Sequence, residues 1–245
     1  MQVMIFAAGK GTRLKPLTDV IPKALVPVGD MPLLQRIYLK VIEAGADRVV
    51  VNVHHHAAQL KNFCSLLEAR YGVSIRISDE SSHLLETGGG IKKARQLFEP
   101  EPVLIHNCDI LSNVSLRDFY QQSLCADATL LVSERKTSRY LAFDKDMRLV
   151  GWTNIDTGEV KSPYGSLPPD ARLYAFAGIH VMSPSMFPLM DQWQDAFPIV
   201  DFYLRHCAEK NIRGLLKTDL RLLDVGKLDT LEQAQDFLEN NNNKY

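Results

Sequence analysis

The 245-residue sequence has few cysteines, almost no net charge and no long apolar run. A formal net charge of −1 provides no global field that would favour nucleic-acid binding. No segment approaches the roughly 20 apolar residues that cross a bilayer, so no membrane partner is expected. The four cysteines lack Cys-x-x-Cys spacing, which indicates reduced thiols in a cytoplasmic protein. The first predicted strand begins at Gln2, so no signal peptide is expected before it.

Short apolar segments alternate with amphipathic helical patterns over the first half of the chain. This rhythm predicts an α/β fold with a Rossmann-like, mostly parallel sheet and helices on both faces. The predicted strands are 2–6, 48–53, 74–78, 102–106 and 128–133, and the predicted helices are 33–44, 57–71, 89–98 and 116–125. Ligands collect at the carboxyl ends of such strands, so the loops that follow them matter most.

From about Tyr140 the pattern changes to β-segments joined by turns. We predict strands at 140–144, 149–154 and 171–182, a helix at 199–209, a strand pair within 213–224 and a last helix at 228–238. A single domain is therefore expected over residues 1–239. It divides into an α/β half (about 1–135) and a smaller β-rich lobe (about 136–239), followed by a polar C-terminal tail at 240–245.

The most informative segment directly follows the first strand. Residues 7–18 read AAGKGTRLKPLT and residues 22–29 read PKALVPVG. A small-residue, cationic loop of this kind can bring backbone N–H groups and positive side chains close to a polyphosphate. The spacing excludes a Walker A loop, and Leu14 stands where a dinucleotide fingerprint needs its third glycine or alanine.

These two segments resemble the signature of the sugar-1-phosphate nucleotidylyltransferases, the sugar-nucleotide pyrophosphorylases. The resemblance implies a nucleotide-diphospho-sugar transferase-like fold, with residues of about 1–135 as the nucleotide half and about 136–239 as the sugar lobe. It also implies an enzyme that joins a nucleoside triphosphate to a sugar 1-phosphate and releases pyrophosphate. Arg13 and Lys23 match the two signature cations of the family and are the expected catalytic residues. The residues expected to bind the nucleotide are Ala8, Gly9, Gly11, Thr12, Arg13, Glu86, Gly88 and Gly89.

Asp109 and Asp224 are the expected magnesium ligands. Asp109 directly follows an apolar strand and matches the metal aspartate of the family in its Asn-x-Asp context. Asp224 also closes a strand, although Lys227 stands where relatives usually carry threonine. Mg²⁺ binds few carboxylates and keeps phosphate oxygens and water as its other ligands. A plain helix-entry role for Asp224 is the alternative.

The tract Glu86–Gly90 resembles the base-binding loop of the family. Its Leu-Glu-Thr context looks like that of the N-acetylmuramate-1-phosphate uridylyltransferases of cell-wall recycling. UTP and N-acetylmuramate 1-phosphate are therefore the expected substrates. GTP with mannose 1-phosphate is the first alternative, followed by another thymidylyl or uridylyl transfer, cytidylyl transfer to a phospho-alcohol, or a sensor without turnover.

The sugar side carries weaker signals. The residues expected to hold the sugar are Asn154, Glu159, Gly178 and Asp201. The run His54–His56 invites a zinc interpretation. However, consecutive strand residues point to opposite faces and do not converge on one metal. A monomer is the slightly favoured assembly.

Overall fold

The computed structural model describes residues 1–240, so the predicted tail lies outside the described residues except for Asn240. The strands are β1 (Gln2–Phe6), β2 (Pro27–Val28), β3 (Met31–Pro32), β4 (Arg48–Val53), β5 (Ser74–Asp79), β6 (Val103–Asn107), β7 (Ile110–Ser112), β8 (Ala128–Ser133), β9 (Arg139–Phe143), β10 (Leu149–Asn154), β11 (Glu159–Lys161), β12 (Arg172–Met182), β13 (Ile212–Leu216) and β14 (Leu222–Asp224). The α-helices are α1 (Leu33–Glu43), α2 (Ala57–Tyr71), α3 (Glu86–Ala94), α4 (Leu116–Ser123), α5 (Ile199–His206) and α6 (Leu228–Asn240). Short 3-10 helices cover Thr12–Leu14, Leu17–Asp19, Lys23–Leu25, Arg95–Leu97 and Pro184–Gln192.

A central sheet in the order β11-β10-β9-β12-β6-β1-β4-β5 separates two hydrophobic cores. Successive side chains of β1 point to opposite faces of the sheet, so Val3 and Ile5 belong to one core and Met4 belongs to the other. Such strands are buried on both faces and need helices on both sides. The predicted α/β class with helices on both faces is confirmed.

Strands β1, β4, β5 and β6 are parallel neighbours, so their carboxyl ends meet at one edge of the sheet. Phe6 at the end of β1 is in register with Asn52 on one side and Asn107 on the other. The loops that leave these strands form the floor of the site described below.

Two predictions of strand pairing are wrong. Strand β8, expected to continue the parallel set, instead runs antiparallel to β12 and parallel to β13. The strands expected to pair with each other within 213–224 are β13 and β14, but β13 pairs with β8 and β14 pairs with β7. Periodicity identifies a buried strand, whereas its partners depend on distant parts of the chain.

The 11-residue strand β12 joins the two halves of the sheet. Its first residues pair with β9, its last residues pair with β6, and residues 175–176 and 180–182 pair with β8. The register along β8 shifts between Phe176 and His180, at the position of Gly178. One sheet therefore runs through both the predicted nucleotide half and the predicted sugar lobe. Among residues 1–240, no helix is long and apolar enough to cross a membrane.

Candidate active site

The carboxyl ends of the parallel strands enclose a cavity of about 250 Å³, here called the nucleotide cavity. It is lined by Phe6, Ala7, Ala8, Gly9, Lys23, Asn52, Glu80, Leu84, Glu86, Thr87, Asn107, Cys108 and Asp109. Five residues predicted to act in the site therefore lie together here: Ala8, Gly9, Lys23, Glu86 and Asp109. The other predicted residues lie around this cavity or in a second one.

Gly11 lets the cationic loop fold back on itself. Its φ of +64° is in the left-handed region, and a Cβ there would lie 2.7 Å from Thr18 Cγ2 and 2.9 Å from Lys23 Cβ. The Thr18 hydroxyl donates to the Gly11 carbonyl at 2.8 Å. Glycine at this position therefore allows Lys23 to lie beneath the loop, while Thr12 stays exposed.

The two predicted catalytic cations approach the same pair of carboxylates. Lys23 is only 9% exposed and forms an ion pair with Asp109. Arg13 is exposed, and its guanidinium lies so close to Gly226 that a Cβ there would be 2.9 Å from its Nη2 atom. Asp224 lies against the same glycine, since its Oδ1 would be 2.7 Å from that Cβ.

A short antiparallel ladder brings together the two acids, which are more than 100 positions apart in the sequence. Strand β14 pairs with β7, placing Asp224 opposite Ile110, and the Val225 N–H donates to the Asp109 carbonyl at 2.8 Å. Burial and the nearby negative charge of Asp109 raise the pKa of Asp224 above its usual range. The positive charges of Lys23, Arg13 and Arg135 act in the opposite direction.

This pair of carboxylates suits Mg²⁺ better than a metal held wholly by protein. Among the described residues, which include His54–His56, no three acidic, histidine or cysteine side chains form a metal cluster. Mg²⁺ commonly takes one or two carboxylates and completes its shell with phosphate oxygens and water. The mutual repulsion that raises the pKa of Asp224 is a reason to expect a cation between the two acids.

A partly buried lysine anchors strand β7. The Lys40 ammonium on α1 donates to the carbonyl of Ser112 and lies 3.1 Å from the Ser112 hydroxyl. Burial lowers the pKa of Lys40 to about 8. The contact helps to hold the ladder that carries Asp109 and Asp224. It was not predicted, because in the sequence Lys40 resembles any polar residue of an amphipathic helix.

The predicted base-binding loop is the first turn of helix α3, which begins three residues before the predicted helix. The N–H groups of Gly88 and Gly89 both donate to the Phe197 carbonyl, at 2.8 and 3.3 Å. A Cβ on Gly88 would clash with the Phe197 ring, and one on Gly89 would clash with the Asp195 carbonyl. Close packing against the segment before α5 thus accounts for these glycines, and their part in binding the base stays a prediction.

Two polar residues of the nucleotide cavity escaped the sequence analysis. Asn52 accepts from the Ala7 N–H at 2.8 Å and donates to Glu80 Oε1 at 2.8 Å. Glu80 is fully buried, and burial raises the pKa of its carboxyl. A signal existed, since Asn52 interrupts an otherwise apolar strand and Glu80 directly follows β5. Together they connect the loop after β1 to the end of β5.

The second cavity, here called the sugar cavity, has a volume of about 510 Å³ and lies on one face of β9, β10 and β11. In the sheet register Arg139, Asn154 and Glu159 form one row across these strands, and Leu141, Trp152 and Lys161 form the next. Both rows face the cavity, because residues two apart on a strand share a face. Its full lining is Arg135, Thr137, Arg139, Leu141, Trp152, Asn154, Glu159, Lys161, Phe176, Pro198, Val200 and Asp201. Three residues predicted to hold the sugar, namely Asn154, Glu159 and Asp201, thus lie together.

Gly178, the fourth residue predicted to hold the sugar, lies where β12 meets the nucleotide cavity. Its φ is +71°, and a Cβ there would lie 2.7 Å from Asn107 Nδ2. Asn107 itself lines the nucleotide cavity. Glycine is therefore required for β12 to approach the end of β6 closely, and its contact with a sugar stays a prediction.

The reacting groups of two phosphorylated substrates can meet where these cations and acids cluster, next to both cavities. The sequence matches the family described as nucleotidyl transferase over residues 2–144, more than half of the chain, and the chain belongs to this family. It is a nucleotidyltransferase, as the opening loop predicted.

Relatives extend the match over the whole chain. The N-acetylmuramate alpha-1-phosphate uridylyltransferase of Neisseria meningitidis serogroup B is 30% identical over 241 residues, which cover 96% of this chain and 97% of that protein. The D-glycero-alpha-D-manno-heptose 1-phosphate guanylyltransferase of Aneurinibacillus thermoaerophilus is 25% identical over 243 residues, covering 98% of this chain and 99% of that protein. The solved structure of a UDP-glucose pyrophosphorylase from Acinetobacter baumanii has the same fold, with a TM-score of 0.77 at 15% identity over 97% of this chain and 92% of that one.

Proposed function

We propose that the protein transfers a uridylyl group from UTP to N-acetylmuramate 1-phosphate, forming the UDP-sugar and pyrophosphate. The observation that carries this proposal is the grouping of Arg13, Lys23, Asp109 and Asp224 next to the nucleotide cavity. The uridylyltransferase relative supports the choice of substrates because its similarity spans both predicted halves of the chain.

In the proposed reaction an oxygen of the sugar phosphate attacks the α-phosphorus of UTP. The bond from that phosphorus to the oxygen shared with the β-phosphate breaks, and pyrophosphate leaves with the electron pair. The nucleophile is already an anion, so no protein base is needed. The protein overcomes repulsion between anions and aligns them in line.

Each cation has a distinct task in this proposal. Arg13 is exposed and has a planar fork, so it suits two oxygens of the β- and γ-phosphates. Lys23 is nearly buried and presents a compact charge, which suits the reacting phosphate. Lys23 pairs with Asp109, and that pairing holds the ammonium at the site.

Asp109 and Asp224 would hold Mg²⁺. The fit rests on two carboxylates brought together by a backbone ladder and on the charge repulsion between them. When bound there, the ion supplies positive charge that offsets the negative charge of the phosphates. A monomeric assembly and a cytoplasmic location stay predictions from the sequence.

Guanylyl transfer is the second candidate, and the relative from Aneurinibacillus thermoaerophilus is the observation that favours it. The test is a pyrophosphate-release matrix of ATP, CTP, GTP, UTP and dTTP against 1-phosphates of N-acetylmuramate, mannose, glucose and N-acetylglucosamine. UTP with N-acetylmuramate 1-phosphate should react fastest, and the Asp224→Asn variant should give only background. A fastest reaction with GTP would replace the proposal by the second candidate. Binding without pyrophosphate release in any combination would identify a sensor.

A further inference from the structure

The sugar cavity contains more positive charge than its own acids neutralise. Lys161 lies 2.9 Å from Asp201 and 3.9 Å from Glu159, so one lysine is the ion-pair partner of both acids, and three cations face two acids in the cavity. The Lys161 ammonium also lies 5.3 Å from the centre of the Trp152 ring. Arg135 and Arg139 line the same cavity and have no carboxylate partner within residues 1–240.

The Arg139 guanidinium is the less constrained of the two. Over the described part of the chain, its side chain makes no hydrogen bond, ion pair or ring contact, whereas its backbone is held in the ladder opposite Asn154. Glu159 lies in the same row but two strands away, about 10 Å across the sheet. A fixed backbone and an unpaired guanidinium facing a cavity leave this charge available to a ligand.

Arg135 has a different environment. Its Nη2 atom donates to the Phe176 carbonyl at 3.3 Å, which holds the guanidinium beside β12. Its charge also acts on Asp224, so Arg135 is on the side of the cavity that faces the acid pair. A phosphate at the reacting centre is the natural partner for Arg135, which leaves Arg139 for a second negative group.

The neighbours of Arg139 suit a substituted sugar. Leu141, Trp152 and Phe176 provide apolar walls, whereas Asn154 provides a polar side chain for hydroxyl or amide groups. A guanidinium binds a carboxylate with two parallel hydrogen bonds, and this pairing is much stronger than a bond to a neutral hydroxyl. A site built for such a group strongly rejects an analogue that lacks it.

We propose that Arg139 is a specificity-determining residue that binds a carboxylate carried by the sugar, so that the enzyme selects an acidic sugar 1-phosphate. This inference rests on the proposed function and names the residue that would recognise the lactyl carboxylate of N-acetylmuramate 1-phosphate. N-acetylglucosamine 1-phosphate has the same ring without that carboxylate and is the matched neutral substrate.

The test compares kcat/KM for these two sugar phosphates, with UTP and Mg²⁺, in wild type, Arg139→Gln and Arg139→Lys. Arg172→Gln is the control, because Arg172 is an exposed arginine of β12 that does not line the cavity. Arg139→Gln should lower kcat/KM for the acidic sugar at least tenfold and change the neutral one less than about twofold. Arg139→Lys should recover part of the loss, and Arg172→Gln should resemble wild type.

An equal loss on both sugars would overturn the inference, as would an unchanged kcat/KM for the acidic sugar in Arg139→Gln. Calorimetric binding of the two sugar phosphates without UTP separates this result from failure of the proposed function. If wild type releases no pyrophosphate but binds the acidic sugar at least tenfold more tightly than Arg139→Gln does, the carboxylate site stands and the proposed reaction fails. Equal binding by both proteins would refute the carboxylate site by itself.

Discussion

The nucleotide cavity and the sugar cavity are built in different ways. The first is formed by loops at the carboxyl ends of parallel strands, where Lys23 and the small residues 7–9 meet acidic side chains from later loops. The second is formed by side chains on the face of β9, β10 and β11, contributed in pairs by each strand. The residues of a loop site form a contiguous motif in the sequence. The residues of a sheet-face site stand at alternate positions of several separate strands.

This difference explains why the nucleotide cavity is easier to predict from the sequence than the sugar cavity. Backbone shape in the loop demands glycine at position 11, because a Cβ there would clash with Thr18 and Lys23. On the sheet face the backbone accepts any polar side chain, so the identity of each residue is constrained only by the ligand that it binds. We therefore expect substitutions near the loop to affect the reaction itself and those on the sheet face to affect the choice of sugar.

The largest effect is expected from the carboxylate pair. Asp109→Asn and Asp224→Asn should each lower Mg²⁺-dependent kcat by about a thousandfold, because the removed charge is needed for the metal at the reacting centre. Initial rates of pyrophosphate release with and without Mg²⁺ measure this. Asp170→Asn, at an exposed aspartate outside both cavities, is the control. If either variant showed the wild-type rate, the proposal that this aspartate binds the metal would be wrong.

Lys23→Ala should lower kcat by about a hundredfold and at least by tenfold, because it removes a preorganised charge at the reacting phosphate. Circular dichroism should show a folded protein. Lys15→Ala provides the comparison, since Lys15 is an exposed cation of the same loop that pairs with Asp19. If both variants kept near-normal turnover, the assignment of Lys23 would be wrong.

Gly88→Ala tests whether the glycines of α3 serve packing. The new methyl group would clash with Phe197, so the free energy of unfolding should fall by about 2 kcal/mol. Gly158→Ala should lower the free energy of unfolding by less, about 1 kcal/mol. Its φ of +73° strains an alanine, but a Cβ there would meet no atom within 4 Å. Urea unfolding measures both values. The reverse order would contradict the tight contact.

As the pH falls, metal affinity should begin to decrease at a higher pH than it would for two aspartates with ordinary pKa values. The pKa of Asp224 is raised, so as the pH falls this carboxyl takes up a proton above the usual aspartate range and loses its affinity for the cation. Below that pKa the affinity should fall by about tenfold per pH unit. Calorimetry with Mn²⁺ and no nucleotide avoids the titration of the triphosphate. A constant affinity down to pH 4 would exclude this role of Asp224.

Most of the fold was predictable because each strand and helix carries its own periodicity. Strands β1, β4, β8 and β10 and helix α2 match their predicted bounds to the residue. The partners of β8, β13 and β14 were not predictable, since pairing depends on contacts far apart in the chain. The early start of α3 was missed because three consecutive glycines favour a loop. Here the contact with Phe197 outweighs that preference.

The sequence by itself determined the reaction class. The loop between β1 and α1 needs glycine and lysine at set positions, and the acids after β6 and β14 stand at strand ends where ligands collect. Only the tertiary structure decided which charges face each other. It brought Asp224 to Asp109 through the β7–β14 ladder and placed Arg139 at the sugar cavity, where no carboxylate among residues 1–240 pairs with it. The interaction between two charges depends on their separation in space. Strand pairing sets that separation, and no single segment of the chain determines which strands pair.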